Sequence, residues 1–145
     1  MFAKLTVEEN LRLGAYVKGG RLARGLERVY GLFPRLAERR AQKAGTLSGG
    51  EQAMVSIGRG VIAEPRLLVI DEPSLGLSPL FVKESFSIIQ RLNGEGTTVF
   101  LIEQNVRQTL AISKAGYVLA QGHITAAGTS AALAADEDVR RAYFG

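Results

Sequence analysis

The sequence predicts an α/β fold, with a helical front half followed by a parallel strand-and-helix core. Three observations carry that expectation. The first 65 residues read almost entirely as helix, Arg66 to Ile70 and Thr97 to Ile102 are short apolar runs, and a helix-like segment follows each run. The chain has 145 residues, the length of about one domain, and is 46% hydrophobic and 22% charged, a balance that builds a core and excludes a disordered chain.

Thr6 can cap a helix while Glu9, three residues on, reaches back, so a helix is expected from there to about Tyr16. Lys18-Gly19-Gly20 interrupts it. A second helical segment runs from Leu22 through Tyr30 and Leu32 toward Arg40, bent near Pro34. Glu51 to Ala63 has helical composition and stops at Glu64-Pro65, where the proline disfavours a helical residue before it. Arg66 to Ile70 then suits a strand buried on both faces.

Ser78-Pro79 sets up the next helix with a hydroxyl cap and a proline in its first turn. Phe81, Val82, Phe86, Ile89 and Leu92 carry that helix, and Asn93-Gly94 ends it. Thr97 to Ile102 is the second core strand and Val106 to Ile112 the helix after it. Two more strands, Tyr117 to Ala120 and Ile124 to Ala127, flank Gln121-Gly122, and the tail from Asp138 to Phe144 reads as helix. No internal repeat or low-complexity tract is present.

Several functional classes fall away. With no cysteine there is no disulfide framework, which fits a reducing compartment. Apolar runs such as Leu67 to Ile70 and Val99 to Ile102 are four residues long, against about 20 needed to cross a bilayer. Glu8 and Glu9 stand where an export signal would need its apolar stretch. The net charge of +4 is uneven: the first 66 residues hold 12 Lys and Arg against 6 Asp and Glu, and the rest hold 6 against 8. A nucleic-acid site would cluster that charge among stacking aromatics, whereas Arg12, Arg21, Arg28, Arg35, Arg39 and Arg40 are scattered through helical sequence. Nucleic acid is therefore not an expected partner.

Two segments carry chemistry. In Leu47-Ser48-Gly49-Gly50-Glu51-Gln52, two glycines before a helix let the backbone approach a bulky anion, and the free amides of the helix start point at it. The same residues also make an ordinary capping box, Ser48 with Glu51, that needs no ligand. In Leu67-Leu68-Val69-Ile70-Asp71-Glu72-Pro73, an apolar strand delivers two acids at its carboxyl end, where open α/β sheets bind ligands. One acid can hold Mg²⁺ and its neighbour can deprotonate a water; alternatively the pair marks the strand's exit into solvent before a turn.

Taken together, the serine-diglycine helix start and the strand ending in Asp71-Glu72-Pro73 resemble the signature motif and Walker B strand of the ATP-binding-cassette ATPases, in order and spacing. Further segments are similar to the smaller ATPase subunit of branched-chain amino acid importers. They are Leu5 to Leu11, Leu32 to Leu36, Ala44 to Gln52, Asp71 to Pro79 and Glu103-Gln104-Asn105, within a likeness that runs to Gly145.

The resemblance implies a partial P-loop NTPase fold: a helical subdomain over residues 1–65 and, over 66–145, the Walker B half of the core. It implies that Ser48, Gly49, Gly50 and Glu51 bind the γ-phosphate of ATP held by an opposite subunit, that Asp71 serves Mg²⁺, and that Glu72 is the general base. Ser74 and Gly76 fall in the D-loop along the dimer contact. The implied partners are a second ATPase subunit, membrane permease subunits and, indirectly, a periplasmic amino-acid-binding protein. The implied location is peripheral, at the cytoplasmic face of the membrane. Related cassettes for urea or lipopolysaccharide differ by only a few residues.

The sequence departs from the family in two places. The phosphate loop, Gly-x-x-x-x-Gly-Lys, is absent: the five lysines are Lys4, Lys18, Lys43, Lys83 and Lys114, and none follows a glycine. The chain is expected to be the carboxyl-terminal portion of such a subunit, without ATPase activity by itself and with an incomplete sheet prone to aggregation. At the position where most cassettes place a switch histidine the chain has Gln104, which hydrogen-bonds but carries no charge. The amino acid importer subunits share that glutamine. His123 lies in a turn and is read as an exposed or edge residue; Gly58 and Gly60, inside the signature helix, are read as close-packing positions.

Overall fold

In the computed structural model, which describes residues 1–16 and 22–143, the chain divides into two units, Met1–Phe100 and Leu101–Gly145. Helix α1 (Val7–Gly14) opens the first unit. The Thr6 hydroxyl accepts from the Glu9 amide at 3.2 Å, and the Glu9 carboxylate accepts from the Thr6 amide at 2.7 Å, closing the capping box that their spacing predicts. The expected break at Lys18-Gly19-Gly20 lies outside the described residues, as does Phe144.

The segment from Leu22 is broken where a bend was expected. Helix α2 (Leu22–Leu32) ends and α3 (Pro34–Glu38) begins anew, with Phe33 in a non-helical conformation between them. Pro34 lacks an amide proton and cannot continue the ladder, but suits the first turn of a new helix. A 3₁₀ turn (Ala44–Thr46) leads to α4 (Gly49–Val61), which starts two residues ahead of the expected Glu51 because Ser48 caps it.

Helix α4 is the spine of the first unit's core, burying Met54, Val55, Ile57 and Val61 with Leu11 of α1 and Val29 of α2. Gly58 and Gly60 are there for packing. A Cβ on Gly58 would press on Leu11 and Val29, and one on Gly60 on Leu68. A core side chain of any size would push these neighbours off their rotamers.

Strand β1 (Leu67–Asp71) pairs in parallel with β2 (Thr98–Ile102) in a two-stranded sheet. The expectation that this first strand is buried on both faces fails. Leu68 and Ile70 are 8% exposed, whereas Leu67 and Val69 are 56% and 58% exposed. Successive side chains point to opposite faces, and only one face of β1 is covered in this structure. Between the strands lies α5 (Pro79–Gly94), which buries Phe86, Ile88, Ile89 and Leu92. Ser78 occupies its N-cap position, but its hydroxyl makes no capping hydrogen bond, contrary to expectation. Pro79 at the first helical position removes one amide that such a cap would serve.

In the second unit α6 (Val106–Ile112) is followed by an antiparallel hairpin of β3 (Ala115–Ala120) and β4 (His123–Thr129). Gln121 and Gly122 join the strands with φ of 51° and 80°, the left-handed pair that a tight hairpin turn requires. Two short helices close the unit, α7 (Ser130–Ala135) and α8 (Glu137–Tyr143). The first of these was not expected from the sequence. The Thr129 hydroxyl caps it by accepting from the Ala132 amide at 3.2 Å.

Candidate functional site

Two clusters of the predicted residues form in the first unit. The first sits at the head of α4. Ser48 and Gly49 are exposed, Gly50 and Glu51 buried. The Ser48 amide donates to Glu51 Oε2 at 3.0 Å, the Ser48 hydroxyl donates to the same oxygen at 2.9 Å, and the Glu51 amide returns to Ser48 Oγ at 3.4 Å. The other Glu51 oxygen meets the Arg39 guanidinium at 3.2 Å. Burial alone would raise the Glu51 pKa, but the Ser48 hydrogen bonds, Arg39 and Arg35 outweigh it and hold the carboxyl below its ordinary range.

The two glycines have separate structural reasons. Around Gly49 there is open space, so nothing but solvent lies where a side chain would be. Gly50 is covered by the ring of Phe81, and the Arg35 guanidinium stacks 5.7 Å from that ring's centroid. Arg39 and Phe81 were not singled out from the sequence as neighbours of this turn, and their separation along the chain carries no signal for it.

The second cluster is the turn that leaves β1. Asp71 is exposed and Glu72 half-buried, and Glu72 has φ of 46°, in the left-handed region that a glutamate rarely adopts. The Leu75 amide donates to the Glu72 carbonyl at 3.2 Å and the Leu77 amide to the Ser74 carbonyl at 3.1 Å. Gly76, with φ of 72°, gives the second of these turns its geometry. Asp71, Glu72, Ser74 and Gly76 are thus gathered into one short loop, whose Leu75 is 72% exposed.

Gln104 lies in the second unit and is exposed. Its backbone amide donates to the Glu103 carboxylate at 3.0 Å, and Asn105 caps α6 by accepting from the Gln108 backbone amide at 3.2 Å. His123 is exposed at the start of β4. Among the described residues no group of three or more His, Cys, Asp and Glu could hold a metal ion on its own. Asp71 still fits Mg²⁺, because that ion commonly takes one or two carboxylates and completes its shell with water and substrate phosphate.

The fold has counterparts among solved structures. A nucleotide-free ATP-binding cassette from an ABC transporter aligns over 99% of this chain and 64% of its own, with a TM-score of 0.81 and 26% identity. The fold is that of part of an ATP-binding cassette. A family described as ABC transporter matches residues 1–75, and the chain belongs to that family.

The chain is also similar to two curated proteins. The high-affinity branched-chain amino acid transport ATP-binding protein BraG of Pseudomonas aeruginosa is 48% identical over 146 aligned positions, covering all of this chain and 63% of that protein. The lipopolysaccharide export system ATP-binding protein LptB of Escherichia coli K12 is 40% identical over 100 positions, covering 69% of this chain and 42% of that protein. The chain therefore spans less than two thirds of the length of either.

Proposed function

We propose that the chain is the signature-bearing portion of an ATPase subunit of a branched-chain amino acid importer, with residues 1–65 as its helical subdomain and 66–145 as part of its catalytic core. The observation that carries this reading is the head of α4. There Ser48 and Gly49 are exposed, Gly49 has open space around it, and the first helical amides lack intrahelical acceptors. Such a surface suits the γ-phosphate of ATP held by a second subunit. Glu51 contributes by locking Ser48 in place. Its carboxylate, already held by Ser48 and Arg39, is turned to protein and not offered to an anion.

At the end of β1, Asp71 would serve Mg²⁺, which when bound neutralises charge on the β- and γ-phosphates. Glu72 would orient the attacking water and take its proton, Gln104 would hydrogen-bond near the γ-phosphate, and Ser74 and Gly76 would line the subunit contact. The phosphate loop is absent from these 145 residues and would come from a segment beyond them or from a partner. The assembly would include a second ATPase subunit and membrane permeases, with this chain peripheral at the cytoplasmic face and a periplasmic amino-acid-binding protein acting through the permeases. The solute reading rests on the likeness to BraG, which spans the whole chain, over the shorter one to LptB.

The missing loop favours a second reading, in which the chain donates its signature turn to an intact partner and does not itself turn over ATP. Adding purified chain to an intact cassette subunit such as BraG should change that subunit's ATP turnover, and Ser48→Arg should remove the change. The absence of any effect on mixing would overturn the docking role. The chain alone should hydrolyse no ATP; Mg²⁺-dependent turnover lost in Glu72→Gln would show that the phosphate grip lies within these residues after all.

A further inference from the structure

The second unit holds an open cavity of about 890 Å³ between α6, α7 and α8, far larger than a water site and within the range that small ligands fill. Arg107, Lys114 and Arg140 line it together, and no Asp or Glu does. Among the described residues none of these three cations takes part in an ion pair. Two acids nearby have partners of their own: the Asp136 carboxylate accepts the amides of Asp138 and Val139 at 2.9 Å each, and Asp138 faces Arg141 at 3.7 Å. Ser130, 7% exposed, forms part of the wall, with its hydroxyl 2.9 Å from that of Ser113.

Three like charges around one cavity repel one another unless an anion joins them, and unpaired guanidinium groups are suited to bidentate recognition of phosphate. The rest of the wall includes Leu110, Ala111, Ala131 and Ala134, which offer an apolar surface beside the cations. We propose that this cavity binds a phosphate monoester carried on a short apolar body, with Arg107, Lys114 and Arg140 sharing the dianion. A carboxylate has one charge and two oxygens to offer three cations, whereas a phosphate monoester has two charges and three terminal oxygens. The proposal does not depend on the ATPase reading, since none of these residues belongs to it.

A phosphate monoester can come from a soluble metabolite or from the headgroup of phosphatidic acid in a membrane. Calorimetric titration of the chain with n-butyl phosphate tests the first source. Co-sedimentation with phosphatidylcholine vesicles, with and without phosphatidic acid, tests the second. Binding in either arm is expected to weaken about tenfold in Arg107→Ala and in Lys114→Ala, as for loss of one charge-assisted hydrogen bond, and to fall steeply with salt. Ala134→Glu, which sets a carboxylate in the wall, should abolish it, while Lys83→Ala on α5 should leave it unchanged. Failure of both probes at millimolar concentration would overturn the proposal, as would equal weakening by Lys83→Ala or undiminished binding in Ala134→Glu.

Discussion

The ring of Phe81, near the start of α5, lies against Gly50 in the first turn of α4 and fills the space that a Cβ there would need. The contact is between helices, so the second glycine of the turn keeps α5 close, whereas the first leaves the surface open. Gly50→Ala should therefore destabilise the chain by about 1–3 kcal/mol through overpacking, even though alanine is the better helix former. Urea denaturation of Gly50→Ala, Phe81→Ala and the double variant would read the coupling. The double variant should be more stable than the sum of the two singles predicts, and strict additivity would remove the contact as the cause.

Asn10 is fully buried on α1 and ties the chain's first residues to that helix. Its Oδ1 accepts from the Phe2 amide at 2.9 Å, and its Nδ2 faces the carbonyls of Phe2 at 2.9 Å, Leu5 at 3.3 Å and Thr6 at 2.9 Å. Asn10→Leu, close in volume, would leave these backbone groups without their partner and should cost about 1–3 kcal/mol in denaturant unfolding. An unchanged midpoint would mean that water replaces the amide.

The lowered Glu51 pKa sets a pH dependence. A carboxyl whose folded pKa lies below its unfolded value adds stability that is fully present above the unfolded value, about 4.5, and lost as pH falls through the folded one. Glu51→Gln keeps the side chain's shape but removes the charge facing Arg39. Its unfolding free energy should be lower than the parent's at neutral pH, and the two curves should converge as pH falls through the lowered folded value. Parallel curves down to acid pH would show that the carboxylate's charge is not what holds the turn.

What was legible in the sequence was mostly local. Ser48 with Glu51 and Thr6 with Glu9 predict their capping boxes by spacing alone, and Val106 to Ile112 forms a helix over the residues its pattern indicates. Ser130 to Ala135 is not legible as a helix because Ser-Ala-Ala-Leu-Ala-Ala has one large apolar residue and so no periodicity to read; the Thr129 cap is the available signal. Contacts between distant segments left no trace. Nothing in the sequence pairs Arg39 with Glu51 or Phe81 with Gly50, and the apolar run of β1 cannot say how many of its faces are covered.

That last point makes a contrast along one strand. Leu68 and Ile70 point into the first unit's core, and truncating either to alanine should cost about 2–5 kcal/mol. Leu67 and Val69 point the other way and are exposed, apolar surface of the kind that binds dyes and other chains. Val69→Lys should shift stability by no more than about 0.5 kcal/mol, as at other surface positions, while lowering both anilinonaphthalene-sulfonate fluorescence and the rate of aggregation on warming. If Val69→Lys instead unfolds the chain, this face of β1 is covered in solution, and the half-buried strand would have to be replaced by one enclosed on both sides.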